Sequence, residues 1–353
     1  MKKILAMLLC FALLLSLCAC RSGNPILKGK TRTYRDDAGR EVRIPEKIQR
    51  IVPSAPLAQI ILLTLAPEMM VGLADEVRED ARGILPENAF SLPFLGSLYA
   101  GAELNLEALA ATEPDLIIDM GEVKKSTQED LDSLQTQTAI PAVFVSLSLE
   151  SMGQTYRTLG ALLGKEERAE VLAQRCDRLY ARVMYIMSRV GEDKADCLYI
   201  LGQEGLNVIA AGSYHAELLD LLTNNLAVVD NPLSKGTGNE VTMEQIALWD
   251  PEFIIFGPES IYADVAQRST WTELQAVSAG NYVEVPQIPY NWMSMPPSVQ
   301  RFLGLLWLPA VLYPEYCDYD VETEIREILE LFYDCRISHE LYEQIMVNAF
   351  PAE

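Results

Sequence analysis

The residues best equipped to bind or react fall in four short stretches of the chain. In Pro289-Tyr290-Asn291-Trp292-Met293-Ser294-Met295-Pro296-Pro297, two aromatic rings and an amide share a loop stiffened by proline. Flat aromatic surface of this kind suits a macrocycle, a catecholate or the apolar rim of a chelate; the alternative is that Tyr290 and Trp292 pack between the loop and the next helix. Met293 and Met295 read as packing residues before thioether ligands. Arg301, inside that next helix, could grip a carboxylate, a phosphate or a metal oxyanion, or could close a buried salt bridge. Tyr214 and His215 sit in a Gly-Ser turn after a strand. An imidazole there can ligate a metal or hydrogen-bond an oxyanion, while a lone histidine can equally be a capping or surface residue. Ser54, ahead of Ala55-Pro56, opens the first helix, where free backbone N–H groups favour anions. Gln203 and Glu204, after Leu201-Gly202, stand beyond a strand end in the same way.

Other chemistries find no footing. There is no Gly-x-Ser-x-Gly elbow, HExxH, P-loop or strand-linked GxGxxG, and His215-Ala216-Glu217 lacks the Pro-Cys-x-x-Cys half of a deaminase signature. No catalytic residue and no cofactor are therefore expected. Cys176, Cys197, Cys317 and Cys335 form no CxxC, and only His215 and His339 could join them, so a resident zinc site is not expected either. They read as buried thiols, with a Cys317–Cys335 disulfide as the alternative. With 28 Lys and Arg against 50 Asp and Glu, the net charge of -22 argues against a nucleic-acid partner, which needs a basic face.

The N-terminus fixes the compartment. Met1-Lys2-Lys3, an uncharged apolar run from Ile4 to Ala19, and then Cys20 have the layout of a secretory signal. Leu17-Cys18-Ala19-Cys20 resembles the bacterial lipoprotein box. That resemblance implies a signal peptide over 1–19, lipidation of Cys20 and anchoring to the outer face of the cell membrane. Residues 20–31 are polar and basic, as a tether should be.

The elements that must position these residues follow an α/β pattern. A hairpin is expected around Asp37-Ala38-Gly39. Apolar runs at Arg50 to Pro53, Met70 to Ala74, Leu116 to Met120 and Ala142 to Ser146 suit strands of a parallel sheet covered on both faces. About forty residues without a strand then hold one helix ending near Leu163-Gly164 and a second from about Lys165 to Val190, with apolar residues at steps of three and four. A second series of strands is expected at Cys197 to Leu201, Asn207 to Ala211, Ala227 to Asp230, Phe253 to Phe256 and Tyr282 to Val285. The expected architecture is two parallel-sheet α/β lobes, over 32–150 and 192–353, joined by linker helices over 151–191. A ligand cleft should lie between the lobes at the carboxyl ends of the strands.

In order and spacing, several pieces of the chain resemble the bacterial ABC-importer substrate-binding proteins of the rigid, helix-linked type. These are Asp36 to Val42, Asn105-Leu106-Glu107, Leu163 to Ala169, Glu240 to Gln245, Trp271 to Val277 and Pro289 to Arg301. The group serves iron siderophores, haem, cobalamin and, in some branches, molybdate or tungstate. The branch nearest to the last segment carries Asn before the arginine, where this chain has Gln300. The resemblance implies a class III periplasmic-binding-protein-like fold and capture of a metal chelate or metal oxyanion, with Ser54, Glu204, Tyr214, His215, Tyr290, Asn291, Trp292 and Arg301 around it. It also implies a monomer that hands its ligand to an ABC permease and its ATPase. Glu244 matches the carboxyl-lobe docking acid of relatives; the amino-lobe counterpart is Ile60, so Glu68 or another nearby acid would replace it, or docking would use one prong. A sensing or adhesive lipoprotein on the same fold is the alternative, and a lipoprotein hydrolase a more distant one.

Overall fold

A computed structural model describes residues 29–99 and 103–352. The expected signal peptide, Cys20 and most of the tether lie outside the described residues. Alternation in Thr31–Arg35 (β1) and Glu41–Pro45 (β2) produces the expected antiparallel hairpin, with Val42 and Ile44 turned inward. Arg40 pins it to the amino lobe by bonding Asp36 at 3.1 Å, Asp132 at 2.9 Å and the Ala142 carbonyl at 3.0 Å.

The amino lobe follows with Ile51–Pro53 (β3), Pro56–Leu65 (α1), Leu106–Ala111 (α2), Leu116–Gly121 (β4), Thr127–Thr138 (α3) and Ala142–Ser146 (β5). Its three strands pair in parallel in the order β3-β4-β5. Asn105 caps α2 by accepting from the Ala108 amide, as Asn does at helix starts. The expected strand at Met70 to Ala74 is reduced to isolated parallel bridges, Ile51 to Met70 and Leu73 to Phe94.

Met152–Leu163 (α4) and Glu166–Val190 (α5) turn back on one another at Gly164, whose φ of 68° suits the left-handed end of a helix. Helix α5 is about 37 Å long at 1.5 Å per residue. It buries one stripe that includes Leu172, Cys176, Leu179, Val183, Ile186 and Val190. Glu166 and Glu167 at its start and Arg189 at its end oppose its macrodipole.

The carboxyl lobe contains Asp196–Leu201 (β6), Asn207–Val208 (β7), Glu217–Leu222 (α6), Asn224–Asn225 (β8), Asn239–Glu240 (β9), Met243–Trp249 (α7), Phe253–Phe256 (β10), Ser269–Thr272 (α8), Gln275–Ser278 (α9) and Tyr282–Glu284 (β11). Strands β6, β10 and β11 pair in parallel as expected, joined by β8, which was not expected, but β7 and β9 are antiparallel additions. The reason is chain length: a parallel partner needs a crossover of roughly a dozen residues, and the turn at Gly202–Leu206 permits only a hairpin. The expected strand at Ala227 to Asp230 is irregular, with Val228 73% exposed; Asn224 and Asn225 pair with β6 instead.

Arg301–Leu312 (α10), Val321–Tyr333 (α11) and His339–Ile345 (α12) complete the chain. Helix α10 packs on α5, α6 and α11, and α11 crosses back onto α1 of the amino lobe. Arg168 of α5 reinforces that return by donating to the carbonyls of Thr64 and Phe332. The largest buried apolar cluster accordingly runs through both lobes and the spine, from Ile60 and Met120 through Tyr156 and Leu179 to Trp292, Phe302 and Phe332. Cys176, Cys197 and Cys335 are buried, Cys317 is half-buried, and all four are free thiols, so the disulfide alternative is not realised.

Candidate functional site

The loop from β11 to α10 is organised by its amide. Asn291 is 4% exposed, and its Oδ1 accepts from the backbone N–H groups of Met293, Ser294 and Met295 at 2.9, 2.8 and 3.2 Å. Its Nδ2 donates to the Tyr199 hydroxyl at 3.3 Å. A side chain so engaged shapes the loop and has little left for a ligand. Trp292 is fully buried, its indole N–H donating to the Ile288 carbonyl at 2.9 Å. The Tyr290 hydroxyl is buried toward Gln59 and Asp75 of the amino lobe, and burial pushes the phenol well above its usual range. In this structure Trp292 and the Tyr290 hydroxyl take the packing alternative, and Asn291 shapes the loop.

Arg301 is likewise turned inward. It is 0% exposed; Nη1 donates to Glu217 Oε2 at 2.6 Å and Nε to the Ser298 carbonyl at 3.3 Å, while the guanidinium lies 5.7 Å from the Tyr214 ring centroid. The structure thus shows the buried salt bridge that was the alternative for Arg301, while its Nη2 is buried without a hydrogen-bond partner among the described residues. Glu217 extends the link across the lobes, accepting from the Leu149 amide at 2.8 Å. Two further ties run parallel to it: Tyr214 hydroxyl to the Leu147 carbonyl at 2.9 Å, and Ser298 hydroxyl to the Leu57 carbonyl at 3.0 Å. Beside them a cavity of about 430 Å³ is lined by Glu122, Leu149, Tyr180, Tyr214 and Glu217 among others.

His215 is the expected site residue that stays available. Its Nδ1 lies 2.7 Å from the Ser294 carbonyl. A carbonyl only accepts, so Nδ1 carries the proton and Nε2 keeps a lone pair, with no hydrogen-bond partner among the described residues. Burial, with smaller contributions from the positive charges of Arg301 and Lys124, pushes the imidazole down to about 4; the Ser294 bond works the other way. Met295 and the backbone of Gly236 flank the ring.

Across from it, Ser54 does not present an anion site. It is 1% exposed, its amide donates to the Ile118 carbonyl at 3.0 Å, and its hydroxyl bonds Asp119. Pro56, the first residue of α1, has no N–H to offer. The structure also brings forward Asp119 with Tyr99 and Lys124, and Glu217 beside the cavity, none of which the sequence singled out. A lone acid inside the otherwise apolar strand Leu116–Gly121 was the available signal for Asp119. The loop residue Tyr99 carried none.

The profile of the family described as "Periplasmic binding protein" matches residues 96–289, over half of the chain. The chain belongs to that family. Among solved structures, an ABC transporter solute-binding protein from Sulfurospirillum deleyianum is 29% identical, covering 90% of this chain and 99% of its own, with a TM-score of 0.81. A molybdate periplasmic binding protein from Haemophilus influenzae, solved with molybdate, is 19% identical over 87% of this chain and 99% of its own, at a TM-score of 0.69. A catecholate-siderophore binding protein from Vibrio cholerae is 18% identical over 78% of this chain and 99% of its own, at 0.58. The last two show the fold alone. No curated protein matches the chain.

As a periplasmic binding protein, the chain has α/β lobes on a helical spine, and its family and neighbours are binding proteins and not enzymes. Among the described residues no helix is long and apolar enough to cross a membrane. Glu244 is exposed in the first turn of α7, four residues before Leu248, which is 79% exposed. Ile60 is fully buried and Glu68 pairs with Lys165 at 2.6 Å. Glu204 stands exposed on the β6–β7 turn, 3.8 Å from Arg268, and pairs there instead of joining the His215 group.

The lowered His215 value makes a stability prediction. Because the unfolded chain takes up a proton near 6.5 that the folded chain refuses until about 4, this group's contribution is present above 6.5 and is lost as pH falls between those values. A His215→Gln variant is expected to lose less stability than the parent across that window, read from urea midpoints at each pH. Asp119 acts in the opposite sense, its contribution disappearing as pH rises through about 6, and cancels because both proteins share it.

Proposed function

We propose that this periplasmic binding protein is the lipid-anchored receptor of an ABC importer. In this reading it captures a metal-containing ligand between its lobes and delivers it to the permease, with Glu244 as one docking contact. The observation that carries the ligand class is His215. A neutral imidazole whose Nδ1–H is committed to Ser294 has no proton to offer a bare oxyanion, but it offers a lone pair to a metal with an open coordination position. Among the described residues no group of three His, Cys, Asp or Glu side chains is arranged to hold a metal ion, which fits a metal that arrives with most of its own ligands. Chelated iron, haem or a corrinoid therefore fits the site better than molybdate or tungstate. The mechanism is complementarity with a small lobe movement and no bond chemistry.

Isothermal titration of the mature protein with a ferric bis-catecholate, a ferric dihydroxamate, haemin, aquacobalamin, sodium molybdate and sodium tungstate tests the reading. Binding of one chelate is expected, weakened about tenfold or more in His215→Ala, an effect of the size expected when outer contacts or ligands of a metal are removed. Binding of no member of the panel sinks the proposal, and tightest binding of a bare oxyanion sinks its ligand class.

A further inference from the structure

Two hydroxyls converge on one carboxylate at the floor of the amino lobe. Asp119 is 1% exposed in the carboxyl half of β4; Oδ1 accepts from the Ser54 hydroxyl and Oδ2 from the Tyr99 hydroxyl at 2.9 Å. Burying a carboxylate is costly, and a strand reading Leu-Ile-Ile-Asp-Met-Gly could have carried another aliphatic residue there. Ser54 is already fixed through its backbone, its amide bonded to Ile118 and its carbonyl to Leu98. What Asp119 adds is control of Tyr99. That ring is 44% exposed, and the Lys124 ammonium lies 5.9 Å from its centroid. Lys124 also acts electrostatically on His215 of the other lobe. It follows two residues after Glu122, which lines the cavity that Tyr214 and Glu217 of the other lobe share.

We propose that Tyr99 and Lys124 form the amino-lobe contact for the captured ligand and that Asp119 is the positioning residue that holds the Tyr99 ring in place. The inference rests on the proposed function and deepens it. The pair suits an anionic, unsaturated group: the ammonium takes the charge and the ring takes the flat face. A metal chelate with a carboxylate or phenolate rim supplies both. Lys124, from the loop between β4 and α3, acts electrostatically on Asp119, and Asp130 of α3 and Arg40 of the β1–β2 hairpin act on Tyr99. Burial pushes Asp119 up to about 6 against the pull of its two hydroxyl bonds. Below that pH it takes a proton and loses the charge that fixes the Tyr99 hydroxyl.

The test uses Tyr99→Ala, Tyr99→Phe, Asp119→Asn and the Asp119→Asn/Tyr99→Phe double variant, each titrated with whichever probe of the six above binds the parent tightest. Tyr99→Ala is expected to weaken binding about tenfold or more, and the two conservative variants by about threefold to tenfold each, the net scale of one hydrogen bond. The double variant should lose no more than the larger single, because both cut one link. Parental affinity should also fall as pH drops below 6, and that limb should flatten in Tyr99→Phe, a readout that a merely structural role would not move. Unchanged affinity in Tyr99→Ala overturns the contact, and additive losses with an unaltered pH limb overturn the positioning role. A parent that binds none of the six probes overturns the proposed function and takes this inference with it.

Discussion

A Glu217→Ala variant is expected to lose about 3–5 kcal/mol of unfolding free energy, the range found when one member of a buried ion pair is removed. The size follows from what is left behind. Arg301 has no exposed surface, and without Glu217 its guanidinium would keep the Ser298 carbonyl and the Tyr214 ring face as neighbours but no opposite charge. The reverse deletion is milder. In Arg301→Met the orphaned carboxylate belongs to a side chain that is 29% exposed and still accepts from the Leu149 amide, so water and one N–H can hold it. Urea unfolding of both variants checks the asymmetry; equal losses would show that Glu217 is as deeply buried in solution as its partner. Glu217→Ala also removes one of three ties between the lobes, so the cleft should exchange amide hydrogens faster at Leu149 than in Arg301→Met.

Trp292→Ala is expected to cost a similar amount, about 3–5 kcal/mol, as large aromatic-to-alanine changes in cores do. The indole is fully buried and its N–H is bonded to Ile288. Helix α10 also holds the Trp292 backbone closely: a Cβ on Gly304 would come within 2.3 Å of the Trp292 carbonyl oxygen. The surroundings therefore cannot collapse freely into the void. Trp292→Phe should recover part of the loss. A Trp292→Ala protein that unfolds at the parental urea concentration but has lost its ligand would return this residue to the binding surface.

What the sequence disclosed and what it withheld have separate physical causes. Helix α5 was legible to within a residue at each end because its apolar stripe, acidic start and basic finish all report one period and one polarity. Strands Ala142–Ser146 and Phe253–Phe256 were equally plain, being apolar throughout and bounded by turn residues. Strand β7 was misread in direction because apolarity says nothing about pairing; the short Gly202–Leu206 turn held that information. The site was harder. Where the Trp292 backbone sits depends on the close approach of Gly304, twelve positions further along, and on the turn that Asn291 makes from three amides. Local composition contains neither fact. His215 stood out because imidazole is scarce in this chain, whereas Tyr99 did not, because a loop tyrosine is ordinary until Asp119 is seen behind it.

The apolar cluster that runs unbroken through both lobes and the spine bears on how occupancy could be signalled. A body whose halves share one packed interior cannot announce a captured ligand by a wide change of outline, since dense packing resists gradual deformation. Filled and empty copies then offer a transporter nearly the same silhouette. Discrimination has to come from the ligand itself, exposed at the mouth between the lobes, or from displacements of the rim. Without it, empty receptors act as competitive inhibitors of filled ones, and flux follows the ratio of the two forms and not the number of filled copies alone.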